Sequence, residues 1–357
     1  MKVYIRFLTI LFLKNIIYVT SILFCLVVII NLLSELEFFK ETNVNNYLPL
    51  ILTILNSPSM IYELFPFIFL IGTQLFYVHL LNNDQINIFK YSGLKNSKIF
   101  LILSILSFLT GILIVIFFYN LSSNLKNIYL EFKSPYTTDG KYLAVITKNG
   151  LWIKDKINNK NLIINSEIMK DKYLIENFIT EFDNNYKSIR NITSKKIDIS
   201  KKEWIIYDAK IFTNNEYVFK DKLNFETNFN YKRIISLYSN LSSLNVYQLH
   251  ELRENYKKLN YSLTEVNLQI LKIIAFPFYL LLMTLFSACM MIRIKYLNSS
   301  TIKILLGLFF SVIIYYINNF FYVLGSSERL PLIIAVFMPI LILTTINSLL
   351  IRKINEK

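Results

Sequence analysis

Six blocks of nearly unbroken apolar sequence decide what this chain can become. They cover residues 15–33, 62–81, 99–121, 269–292, 304–324 and 330–351. A bilayer core about 30 Å thick requires roughly 20 consecutive apolar residues of helix. Each block is close to that length. Backbone amides in lipid find no water, so a crossing segment must satisfy them internally, as a helix does. The pattern predicts six transmembrane helices. Between the third and fourth, residues 122–265 are polar and cannot cross. The expected organisation is a membrane half over 1–121, a polar domain over 122–243, a return helix and linker over 244–268, and a second membrane half over 269–357.

The net charge is +14 over 357 residues, and its placement matters more than its size. Lys2, Arg6 and Lys14 precede span one. Lys90, Lys95 and Lys98 lie between spans two and three. Arg293, Lys295 and Lys303 lie between spans four and five, and Arg352, Lys353 and Lys357 close the chain. The opposite loops hold Lys40 and Arg329 against Glu35, Glu37, Glu41, Glu63 and Glu328. Short cytoplasmic loops are enriched in Lys and Arg. Both termini are therefore expected in the cytoplasm and the polar domain outside. The positive charge is a topology signal, and no nucleic-acid partner is expected. The first block is too long, and its far flank too acidic, for a cleaved leader. Cys25 and Cys289 fall inside spans, so neither can staple the external domain.

Residues 3–14, "VYIRFLTILFLK", predict a helix lying in the interface, with Lys14 reaching the headgroups. Residues 34–58 read as an external loop. Its end, "NSPSM" (56–60), reads as a helix start with Ser57 as cap and Pro58 in the first turn. Pro66, Pro277 and Pro339 fall inside spans two, four and six. The polar stretch then changes period. "KYLAVITKNGLWIKD" (141–155) reads strand, turn, strand around Asn149-Gly150. Strand-like runs follow at 161–169, 173–182, 203–212 and 216–223, the signature of an all-β sandwich or open barrel. From 245, "NVYQLHELRENYKKL" puts Val246, Leu249, Leu252, Tyr256 and Leu259 close to one helix face. Asn245 and Gln248 form a capping pair ahead of it.

Enzymatic chemistry is not visible. Among seven glycines there is no G-x-x-x-x-G-K-[ST] run to cradle a phosphate. His79 and His250 are isolated, no cysteine pair has metal spacing, and no cofactor is expected. Glu63 and Lys272 sit near span ends rather than at the midplane, which argues against a proton-coupled transporter. If this chain moves anything, a partner supplies the energy.

Residues 82–100, "NNDQINIFKYSGLKNSKIF", leave the membrane and return at once. Residues 84–92 suffice for two helical turns. Ile86 and Phe89 lie three apart, surrounded by Asp84, Gln85, Asn87 and Lys90, and Gly93 can adopt the left-handed conformation that stops a helix. Two apolar knobs on a short helix fit a groove in a cytoplasmic partner. They fit equally a re-entry turn resting on headgroups, and the residues alone leave both open.

Three spans, an external β-domain and three spans resemble the LptF/LptG permeases of the lipopolysaccharide exporter. The stretch 57–93, "SPSMIYELFPFIFLIGTQLFYVHLLNNDQINIFKYSG", is similar to span two and the coupling segment of the LptG member. So are "NGLWIKD" (149–155), "YQLHELRENYKKLNYS" (247–262), "KIIAFPFYLLLMTLFSACMM" (272–291) and "RLPLIIAVFMP" (329–339), in order and across the whole chain. The resemblance implies a jelly-roll-like periplasmic domain and a place in the cell inner membrane. It implies as partners a cytoplasmic ATPase dimer, a second six-span permease, a periplasmic bridge protein and lipopolysaccharide. It assigns ATPase coupling to Asp84, Gln85, Ile86, Phe89 and Gly93. The lipid path is assigned to Asn31, Lys40, Phe309, Phe310, Tyr315, Tyr316, Phe320 and Arg329. Two positions depart from the family pattern: Gln85 replaces a glutamate, and Asn31 stands near an expected lysine. Alternative readings are a permease of the MacB or lipoprotein-release kind, which usually has four spans, and a membrane-anchored assembly or sensor scaffold.

Overall fold

A computed structural model of the chain describes residues 3–40, 45, 47–136, 151–157, 160–170, 172–183, 187–213, 216–231, 234, 240–258, 261–293 and 299–355. It divides into two units, Met1–Lys126 with Thr264–Lys357, and Asn127–Leu263.

The first unit is helical. Helix α1 spans Val3–Phe38, α2 Tyr47–Asn82 and the short α3 Gln85–Tyr91. Helix α4, Asn96–Leu113, passes through a π-helical turn, Ile114–Tyr119, into α5, Asn120–Lys133. After the β-domain and its return helix α6, Val246–Lys258, come α7 (Thr264–Arg293), α8 (Ser300–Ser326) and α9 (Leu332–Asn355). Six of these stretches are long and apolar enough to cross a membrane. Helix α7 is the centre: α2, α4, α8 and α9 all pack on it.

Two expectations are corrected at the ends of the spans. Residues 3–14 do not turn along the interface; they are the first turns of one 36-residue helix. Leu8 and Phe12 are fully buried there, with the Phe12 ring 6.3 Å from Phe69 and 6.1 Å from Phe76 of α2. That packing holds the segment in line with the span. Likewise, span two does not begin at Ser57. Helix α2 starts at Tyr47 and carries Pro58 and Pro66 inside it. The Ser57 hydroxyl donates back to Thr53 O at 2.6 Å instead of capping a helix start. Proline in a buried helix is tolerated where neighbours and hydroxyls satisfy the freed backbone groups. The π-turn in span three has no counterpart in the sequence reading. It delivers Tyr119, 2% exposed, to within 5.0 Å of the Tyr62 ring.

The second unit is a six-stranded antiparallel sheet with sequential order β1-β2-β3-β4-β5-β6. The strands are Leu151–Ile157, Lys160–Lys170, Tyr173–Phe182, Ser188–Asp198, Glu203–Thr213 and Glu216–Glu226. The expected strand before Asn149-Gly150, and that turn, lie outside the described residues. Strand β4 escaped the sequence reading because its apolar alternation is sparse, only Ile192, Ser194 and Ile197 being buried. The sheet rolls. Asp155 on β1 accepts hydrogen bonds from Thr227 Oγ1 (2.9 Å), Asn228 N (2.9 Å) and Asn228 Nδ2 (2.8 Å), just past β6. First and last strands thus meet at one end. Glu176 and Asp208 take left-handed φ of 52° and 51° on β3 and β5, where the strand pairing is interrupted without a change of register. Between β3 and β4 the register shifts at Glu181/Phe182, and an irregularity of that kind bends a strand and increases its twist. The inner face is apolar: Leu151, Ile164, Leu174, Ile179, Ile197 and Ile206 are at most 1% exposed.

Trp204 pins this interior, fully buried, with Nε1 donating to Phe229 O at 2.9 Å. Trp204→Ala removes that bond and leaves a cavity, at a cost of about 3–5 kcal/mol. The expected outcome is faster proteolysis within the β-domain of the full chain, with the helical unit still protected. The return helix α6 starts as expected: Asn245 N donates to Gln248 Oε1 and Gln248 N to Asn245 Oδ1, both at 2.9 Å.

Candidate functional site

The turn between spans two and three is built by local hydrogen bonds. Asp84 enters it in a left-handed conformation, φ 55°, and its Oδ1 accepts from Asn87 Nδ2 at 2.7 Å. Helix α3 follows for seven residues. It stops at Gly93, φ 80°, where Gly93 N donates to Lys90 O at 3.0 Å and Leu94 N to Phe89 O at 2.8 Å. This bond pair is the glycine-terminated Schellman ending, which satisfies carbonyls the helix would otherwise leave open. Any L side chain at Gly93 would be strained there.

The faces of α3 differ from the two-knob reading. Ile86 and Phe89 pack against the core of their own helical unit, and the Phe89 ring lies 6.2 Å from Phe7 of α1. The outward apolar residues are Ile88, 60% exposed, and Tyr91, 91% exposed. These two also stand three apart, so a helix this short offers two alternative pairs and the sequence cannot choose between them. Asp84 and Lys90 are exposed beside the outward pair, and Gln85 is half-buried. Gln85 Oε1 is buried without a hydrogen-bond partner among the described residues.

From this turn, span two reaches three other spans through buried polar bonds. Asn31 of α1 donates Nδ2 to Thr53 O at 3.2 Å and accepts from Asn56 Nδ2 at 3.3 Å. Ser287 of α7 donates Oγ to Leu70 O at 2.8 Å. Gln74 donates Nε2 to Lys303 O at the start of α8, at 3.1 Å. Asn31 is only 4% exposed, so its polar atoms serve the α1–α2 contact. Helices α1 and α8 both pack on α2, yet they are the least buried of the spans. Only 11% of the apolar stretch of α8 is buried and 22% of that of α1, against 72% for α7.

The aromatic residues of span five divide accordingly. Phe309 (62% exposed), Tyr316 (65%) and Phe320 (61%) follow one outward stripe. Phe310 and Tyr315 remain 37% and 43% exposed, but their rings also reach neighbouring helices, 6.1 Å from Phe286 and 5.7 Å from Phe67. Lys40 and Arg329 are exposed just beyond the C-terminal ends of α1 and α8. The structure thus gathers Phe309, Tyr316 and Phe320 on one face and gives Asn31, Phe310 and Tyr315 packing partners.

A profile of the lipopolysaccharide export system permease LptF/LptG family matches residues 6–353. The chain belongs to the LptF/LptG family. The match covers both helical halves and the sheet between them. A comparison with curated proteins gives no match. This LptF/LptG permease is a multi-pass inner-membrane protein with a periplasmic β-sheet domain. It is a transport subunit, and its sequence carries no phosphate-cradling loop.

Proposed function

We propose that this permease grips a cytoplasmic ATPase dimer through α3 and converts its motion into extraction of lipopolysaccharide from the membrane. The lipid would leave through an opening lined by the outward faces of spans one and five. A second six-span permease of the family supplies the facing spans. The periplasmic β-domain receives the acyl chains and passes them to a bridge protein. Both termini and α3 face the cytoplasm, in keeping with the Lys and Arg placement. The quoted stretches favour the LptG member.

The observation that carries this reading is the bareness of span five, set against the dense packing of span four. A lipid has the chemistry to fill that face. Each buried CH₂ contributes about 0.8 kcal/mol, so several acyl chains resist transfer to water by tens of kcal/mol. An exporter must offer apolar surface at every step. The bare face of α8 offers it in the membrane, and the apolar interior of the rolled sheet offers it outside. With no phosphate-cradling loop in this chain, the work comes from elsewhere, and α3 is the rigid inner-side projection between two spans.

A photoreactive residue in place of Phe309, Tyr316 or Phe320 is expected to crosslink lipopolysaccharide in energised membranes. The same probe at the buried Phe286 should not. Equal labelling at Phe286, or labelling at none of the outward positions, would remove span five from the lipid path. Asn31→Ala is expected to destabilise the α1–α2 contact by about 1–3 kcal/mol. Its effect on thermal stability in detergent should exceed its effect on lipid crosslinking.

A further inference from the structure

The helical unit holds a cavity of about 230 Å³ among α2, α7, α8 and α9, lined by Tyr62, Glu63, Lys272, Asn318, Asn319 and Tyr322. Its charges are not arranged as a structural pair. Glu63 and Lys272 line the same space without an ion pair between them. Lys272 lies over the Tyr322 ring, 5.1 Å from its centroid. The Glu63 carboxylate acts electrostatically on Lys126, which lies outside the lining. The Asn318 and Asn319 amides make no hydrogen bond among the described residues, and Tyr62 Oη is buried with no partner. Burying the Tyr62 hydroxyl without a hydrogen-bond partner costs free energy, and the half-buried Asn318 and the exposed Glu63, Lys272 and Asn319 line the same space with polar ends open to an occupant.

Position identifies the occupant's surroundings. Glu63 opens the apolar block of span two, Lys272 lies near the start of that of span four, and Tyr322 closes that of span five. All three ends face the periplasm in the proposed topology. The cavity therefore lies where the headgroups of outer-leaflet lipids meet their acyl chains.

We infer that this cavity is a binding site for the headgroup of a zwitterionic, amine-bearing glycerophospholipid. The Lys272 ammonium and the Asn318 and Asn319 amides are donors for the lipid phosphate. The Glu63 carboxylate accepts hydrogen bonds from the lipid ammonium, with tyrosine rings at hand for cation–π contact. A purely anionic headgroup satisfies Lys272 but sets negative charge against Glu63. The inference rests on the membrane placement of the spans and needs neither the ATPase nor export.

The test uses the full-length chain, purified in detergent. It is exposed to phosphatidylethanolamine and phosphatidylglycerol of matched acyl chains, with lipopolysaccharide as a third arm, and retained lipid is read by native mass spectrometry. Retention of the ethanolamine lipid at least about fivefold over the glycerol lipid is expected. Glu63→Gln should bring the two to parity, and Lys272→Met should weaken retention of both. Both side chains are exposed, so neither change threatens folding. As a further check, Tyr322→Phe keeps the ring under Lys272 and should keep the selectivity. Parity in the unaltered chain, or unchanged selectivity in Glu63→Gln, overturns the inference. Displacement of the ethanolamine lipid by lipopolysaccharide also overturns it, by giving the cavity to the exported lipid. Loss of ATPase binding or of export in a separate assay leaves this result untouched.

Discussion

Replacing Ile88 and Tyr91 together by glutamate is expected to release the ATPase while leaving the helical unit intact. Both side chains project from α3 and touch little of their own chain, being 60% and 91% exposed. If they fill a groove in the ATPase, each contributes about 1.5–3 kcal/mol on burial. Since 1.4 kcal/mol is a factor of ten, losing both weakens binding by roughly 100-fold or more. Two buried carboxylates add a desolvation penalty. Co-purification from detergent extracts reads the outcome, with chromatographic homogeneity of the permease as control. The companion variant, Ile86→Glu with Phe89→Glu, behaves differently. Those residues pack on the unit's own core, with Phe89 beside Phe7. The expected result is loss of folded permease rather than of ATPase alone. An ATPase that still co-elutes with the Ile88 and Tyr91 variant would sink the docking role of α3.

The contrast between the two pairs marks where the sequence stopped being legible. Six spans and the β-domain were readable because block length and period-two alternation are properties of long segments. A seven-residue helix has no such averaging, and its phase is set by what it packs on. Asn31 teaches the same lesson. The resemblance assigns it to the lipid path, but the amide binds Thr53 O and Asn56, a contact made across 22 and 25 residues. The sequence predicts too late a start for span two because Ser57-Pro58 is a good local start signal. The surrounding hydrophobic packing, with Leu52 and Ile61 buried on either side of Pro58, overrides that preference. Strand β4 lacks the alternation that marks a strand in sequence and is set by its neighbours: β3 and β5 offer ladders on both sides. Glu63 and Lys272 could be seen only as charges near span ends. That they line one cavity is a property of the packing.

The other large effect is expected where span two meets span five. Gly307 leaves no room for a side chain, because a Cβ there would overlap the Gln74 amide. Gln74 is fully buried and its Nε2 donates to Lys303 O at 3.1 Å. Span two continues into α3 through a turn of a few residues, so this contact is a buried polar route from that turn to the bare span five. Gly307→Leu must displace the buried Gln74 side chain, breaking its bond to Lys303 O, or push α8 off α2. A clash with a buried, hydrogen-bonded amide costs about 1–3 kcal/mol, as overpacking generally does. Gln74→Met tests the same contact without overpacking, since it keeps the length of the side chain and deletes the bond. Its effect on stability should be about 1 kcal/mol. Neither change touches the outward face of α3, so the ATPase should remain bound and continue to hydrolyse ATP. What should fall is lipid crosslinking at Phe309, Tyr316 and Phe320 per ATP consumed, by tenfold or more in Gly307→Leu. If crosslinking per ATP is unchanged in both variants, motion reaches span five by another path, and the polar link between Gln74 and Lys303 serves packing alone.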